Sequence, residues 1–390
     1  MGPRRIRWVV LLGLLLITAY AAVVPAARAQ NAATPVATGV STLEEMLAYA
    51  PDVMAGTDTP ETHIVAYADL ATQVDAIGVP RPESIDDEHF VRWSFGLETL
   101  FFPELLLTSS LSARWQELIG FDILDIDETL EIGEPPARTL LRGRFDHEAI
   151  EAAWARLGYQ MTEVDGLPVA SLNPDGGFSI DSELGRYAFA RFNNAAFLPD
   201  GTLAYAPTLD GLREIIAVTK GNAPSLADRP DVSSMVSAMD EPLVSALLLT
   251  GESLRYESLL GPVADQVTRL PDVMPAVELA LFGVTAGGPV SRPLSQTSPT
   301  PEIPRATFKI ALLHQSEEDA VTSAQVASDR LASASSWYSM RPLAELFESM
   351  DAQALANPPV MLLSLVFADN SFATFWLRMI LTRDLPFLAW

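Results

Sequence analysis

No cysteine occurs in the 390 residues, which excludes a disulfide framework, a thiolate metal site, a cysteine nucleophile and a lipid-bearing cysteine. Stability must therefore come from packing. Lysine is almost as scarce: only Lys220 and Lys309 occur, and neither has a serine three residues before it, so the serine–lysine motif of penicillin-binding proteins is missing. The four histidines, His63, His89, His147 and His314, are scattered. No phosphate-cradling loop occurs, because Gly283 to Gly288 lacks both the spacing and the lysine. Gly251-Glu252-Ser253-Leu254-Arg255 has arginine where a nucleophile elbow needs its second glycine.

Positive charge is also short, with 25 Lys and Arg against 50 Asp and Glu, a net charge of −25. Nucleic acid and anionic lipid headgroups should repel such a chain, and cationic partners suit it. Apolar residues make up 49% of it, enough for a sizeable core and about two domains at this length.

The N-terminus carries Arg4, Arg5 and Arg7, then an apolar run from Trp8 to Val24, then Ala27-Arg28-Ala29. This is the layout of a secretory signal peptide, expected over residues 1–29 with cleavage after Ala29. The alternative is an uncleaved anchor, since the run is close to the length that spans a bilayer. The expected location is extracytoplasmic, either secreted or at the cell envelope. Losing the segment's four arginines would take the net charge to −29.

Residues 30–41 read as a flexible spacer, 42–286 as an N-terminal α+β region, 287–304 as a Pro/Ser/Thr-rich loop, and 305–390 as a C-terminal α+β region. Strands are predicted near His63 to Leu70, Thr139 to Phe145, Leu243 to Leu249, Val277 to Thr285, Thr307 to His314 and Val360 to Ala368. Asp165-Gly166 and Asp200-Gly201 mark hairpins. Asp146 should cap a helix with Ile150, Trp154 and Leu157 on one face, ended by Gly158. Helices are also expected over Leu209 to Val218, Ser225 to Met239, Glu317 to Ser333 and Ser371 to Leu381. Asp125 should cap another, with Ile126 and Leu130 inward. The sum is an α+β fold of largely antiparallel sheets with helices packed on one face. A strand followed by a helix recurs after Thr139 and after Thr307, which points to two similar units.

Phe145-Asp146, the hairpin at Leu203 to Tyr205 and the segment Ser225-Leu226-Ala227-Asp228 give the region from Thr139 to Leu249 a resemblance to a family of exported bacterial proteins classed as a domain of unknown function. The resemblance implies an exported α+β protein and supplies no activity. Its motifs are capping and turn residues.

Few residues could carry chemistry. His147-Glu148-Ala149-Ile150-Glu151 opens like a zinc-protease helix with glutamate in place of the second histidine, without an evident third ligand. The plainer reading is the first turn of a capped helix. Asp122, Asp125, Asp127, Glu128, Glu131 and Glu134 could offer oxygens to calcium, but their spacing is wrong for an EF-hand, and a solvated face accounts for them. Trp337-Tyr338 and Phe372, Phe375 and Trp376 could line a ligand pocket. With Met379, the latter group has the helical spacing of a core stripe. No catalytic, cofactor-binding or metal residue is therefore assigned. The expected function is non-enzymatic binding of a ligand or partner at the cell envelope. The alternative is an extracytoplasmic hydrolase with dispersed carboxylates.

Overall fold

A computed structural model describes residues 43–55, 64–101, 115–133, 138–260, 273–287, 305–336, 341–368, 375–382 and 384–390. Residues 1–42, where a signal peptide and a spacer are expected, and residues 288–304 lie outside them. All described residues belong to one compact unit.

The fold is α+β, built on one antiparallel sheet of twelve strands. Near its middle β1 (Ile64–Asp69) pairs with β8 (Leu243–Thr250), with six strands beyond β1 and four beyond β8. Beyond β1 come β2 (Ile126–Ile132), β3 (Arg138–Gly143), and two hairpins in reverse order. The first is β7 (Leu203–Ala206) with β6 (Asn194–Phe197), and the second is β5 (Leu167–Ser171) with β4 (Gln160–Val164). Beyond β8 come β9 (Leu279–Thr285), β10 (Thr307–Leu313), β12 (Pro359–Phe367) and, at the margin, β11 (Phe347–Ala356). The hairpin glycines Gly166 and Gly201 have φ of 78° and 88°, the left-handed geometry that a tight turn demands and that glycine adopts without strain.

The two halves repeat one connection order on either side of the central pair. Strands β1, β2 and β3 precede α5 (His147–Leu157), β4 and β5, while β8, β9 and β10 precede α10 (Glu317–Ser333), β11 and β12. Strand β12 pairs directly with β10, whereas the β6–β7 hairpin stands between β3 and β5. Residues 287–304 join β9 to β10, two neighbours in the same sheet.

Most helices pack on one face. They are α2 (Leu70–Ile77), α3 (Phe90–Gly96), α4 (Trp115–Ile119), α5, α6 (Glu183–Ala188), α9 (Tyr256–Leu260), α10 and α11 (Phe375–Leu381), which contribute Leu70, Trp93, Trp115, Trp154, Leu184, Leu259, Leu331 and Trp376 to its core. The second face is not left bare. There α1 (Leu43–Leu47), α7 (Leu209–Thr219) and α8 (Pro230–Ala238) pack Met46, Ile215 and Met235 over Val65, Leu130, Leu140 and Leu248. Central strands as apolar as Leu243–Thr250 need cover on both sides.

Two strands differ from the sequence reading, and the helix expected over Ser225 to Met239 is a 3₁₀ turn, Leu226–Asp228, followed by α8. The stretch expected to be a helix capped by Asp125 is a single 3₁₀ turn, Ile123–Asp125, capped by Asp122, followed by β2. Ile126 and Leu130 suit a helical face, but with Ile132 they also suit a strand, and pairing with β1 and β3 decides for the strand. The second strand is β11, whose residues carry no strand signal of their own.

Candidate functional site

The carboxylates from Asp122 to Glu131 are separated by the fold. Asp122 accepts from Leu124 N at 2.8 Å and Asp125 from Asp122 N at 2.9 Å, a reciprocal cap. Asp127 pairs with Arg81 at 2.6 Å. Glu128 and Glu131 are directed to different faces, Glu128 to the Tyr67 phenol at 3.0 Å and Glu131 to the Arg191 guanidinium. Burial raises the Glu131 pKa, opposed by Arg191. Glu134 lies outside the described residues, and among the described residues no group of three metal-ligating side chains converges. EDTA should therefore leave the melting temperature unchanged. A fall of several degrees that calcium restores would place a site on this strand.

His147, Glu148 and Glu151 occupy the exposed side of α5. Asp146 caps that helix, accepting from Ala149 N at 3.1 Å, and the His147 ring stacks on Phe197 at a centroid distance of 3.9 Å. The zinc-protease likeness thus resolves into a helix start. Ser253 lies in a 3₁₀ turn, Gly251–Leu254, where Gly251 is required because a Cβ would fall 1.6 Å from Val277 O. Phe375, Trp376 and Met379 are buried in the core, whereas Trp337, Tyr338 and Phe372 lie outside the described residues.

Two constellations were not legible in the sequence. The first surrounds Arg142 on β3. Its guanidinium lies 3.5 Å from Glu45, 3.5 Å from Glu128 and 3.6 Å from Asp200, with its carbon 5.1 Å from the Tyr49 ring centroid. Glu128 is buried and Tyr67 is fully so. Desolvation, and then the Glu128 charge, hold the Tyr67 phenol protonated well above its ordinary range. Asp200 accepts from Tyr49 at 2.8 Å and from Thr202 N at 3.0 Å; desolvation raises its pKa, but these bonds, the Thr202 hydroxyl and the Arg142 charge together lower it. Three acids thus converge on one arginine, held by phenols and backbone.

The second is a cleft of about 500 Å³ where α8 meets the ends of β9, β10 and β12. Pro230, Asp231 and Ser234 form one wall, the turn Asn357-Pro358-Pro359 another, and Glu278, Leu313, His314 and Gln315 lie between them. Asp231 is held by Arg229, Nε to Oδ1 at 3.0 Å, and this bond lowers its pKa. Glu278 is exposed, and its backbone N–H donates to Leu313 O at 2.9 Å. His314 is 1% exposed; its backbone N–H donates to Pro359 O, and its Nδ1 lies 2.9 Å from Ala276 O. Burial lowers its pKa and keeps it neutral, so Nδ1 is the donor and Nε2 an acceptor, buried without a partner among the described residues.

No protein-family model, curated protein or solved structure matches the chain.

Proposed function

We propose that this chain is an exported, acidic, non-enzymatic protein that binds a ligand or partner at the cell envelope through the cleft beside His314. The observation carrying the reading is the cleft itself, about 500 Å³ with walls from separate elements. Ligand sites are concave, and proline-bearing turns give such walls little conformational entropy to lose on binding. Around the cleft Asp231 is tied to Arg229 and His314 to Ala276. Its polar groups are therefore held in place, which suits recognition.

A photo-crosslinking residue at Ser234, introduced into the exported protein in its native envelope, should give a discrete adduct. The same residue at Val321, 53% exposed on α10 over the opposite face, should give none. Equal adducts at both positions, or none at Ser234, would refute the reading.

The hydrolase alternative is favoured by one observation, the convergence of Glu45, Glu128 and Asp200 on Arg142. Glycoside, ester or peptide hydrolysis abolished by Glu128→Gln without loss of the fold would decide for it.

A further inference from the structure

Strand β11 bounds the sheet, and its outer side pairs with no strand among the described residues. It is ten residues long and exposes Glu348, Ser349, Met350, Asp351, Gln353 and Ala356. Natural sheets blunt such edges with short strands, lysine or proline, because a row of unsatisfied N–H and C=O groups is a template for another chain. Here there is neither lysine nor proline, and the one irregularity in its pairing with β12 lies at the strand's start, between Phe347 and Ser349, away from the cleft. The opposite margin, β4, is five residues long.

Two further features give the edge a direction and a charge. The strand runs into the turn Asn357-Pro358-Pro359, which is itself a wall of the cleft. Asp351, Gln353 and Leu355 stand two residues apart and so share a face. Leu355 packs on the same core as α8, so this is the face on which the cleft opens. The charges along the path are acidic, with Asp351 on the strand, Glu278 in the cleft and −25 on the whole chain, while Glu348 is shared with Arg305. That net charge also opposes a second copy of the chain as the occupant.

We propose that an extended, lysine- or arginine-bearing segment of a partner protein adds to the sheet along β11 and runs into the cleft. The proposal rests on the cleft reading above and names the partner's chemistry. Main-chain bonds to β11 supply affinity, and alternate basic side chains reach Asp351 and Glu278.

The probe is the fluorescent peptide Thr-Lys-Val-Lys-Thr-Lys-Val-Lys, titrated into the whole exported protein, with hydrogen exchange read by mass spectrometry. Exchange should slow in β11 and at Asn357. A control peptide N-methylated at every residue, with its charge unchanged, should bind at least about tenfold more weakly because its strand donors are gone whichever edge faces β11. Asp351→Lys should also weaken binding, and since Asp351 is exposed the fold should survive.

Equal affinity for the N-methylated peptide, equal protection at β4, or no binding at all overturns the proposal. Protection confined to 230–234 and His314 with β11 unchanged overturns the edge and leaves the cleft standing. Protection of β11 without a Ser234 adduct leaves the edge and removes the cleft.

Discussion

Replacing Arg191 with alanine should cost about 3–5 kcal/mol of stability in chemical denaturation, because it strands the Glu131 carboxylate among buried groups. Both side chains are nearly enclosed, Arg191 at 10% and Glu131 at 14% exposure, and they bond directly. Their neighbours do not compensate. Thr139 lies opposite Glu131 in the sheet and Tyr205 opposite Thr139, yet both hydroxyls are buried without a partner among the described residues. Replacing both ion-pair partners, as Glu131→Leu with Arg191→Met, should recover most of the loss, since apolar substitutes carry no desolvation penalty.

The same pair sets a pH dependence. Burial raises the folded pKa of Glu131 above its unfolded value, so protonation favours the native state. Stability from this group is fully present below the ordinary glutamate value of about 4.3, and it is lost as the pH rises through the raised folded value. Glu131→Gln imitates the protonated form at every pH. The wild type should therefore compare less and less well with this variant as the pH rises from about 4 towards neutrality. A comparison moving the other way would mean that Arg191 outweighs burial.

Trp376→Ala is expected to be as damaging, at roughly 3–5 kcal/mol. Trp376 is fully buried, packs on Phe308 at a centroid distance of 5.6 Å, and donates from Nε1 to Thr99 O at 2.8 Å. It thereby fastens α11 to the segment after α3. Trp376→Phe keeps most of the apolar volume and should cost about 1–3 kcal/mol, chiefly from leaving the Thr99 carbonyl without its donor. If Trp376→Ala denatures at the wild-type midpoint, the aromatic residues of α11 do not belong to the core.

Elements whose signal is local could be read from the sequence. Asp165-Gly166 and Asp200-Gly201 turn where only residues tolerant of positive φ can, Asp146 caps α5, and β8 is too apolar to lie anywhere but the middle of a sheet. Strand β2 was ambiguous because Ile126 and Leu130 satisfy a helical and an alternating pattern alike. Strand β11 was silent, since Phe-Glu-Ser-Met-Asp-Ala-Gln-Ala-Leu-Ala is rich in helix formers and is held extended by β12. The candidate sites were hidden for a different reason. Register places Glu128 beside Arg142, and only then do α1 and the β6–β7 turn bring Glu45 and Asp200 to the same guanidinium. His314 meets Pro230 and Asn357 in the same way, through topology and without a motif.

The pairing of β1 with β8 at the middle of the sheet constrains the order in which the chain acquires its structure. Ile64 is matched with Leu249, so the join between the halves closes across most of the first half's length. Contacts this distant in sequence form late, because the entropy of closing the intervening chain is lost before they contribute. A chain made from its N-terminus therefore has β1 to β7 in hand while the β8 side of β1 has nothing to pair with. Two such half-made chains present the same open strand to each other. The interval before Leu243–Thr250 arrives is when this protein is most exposed to mispairing, and when a holding chaperone would have most effect.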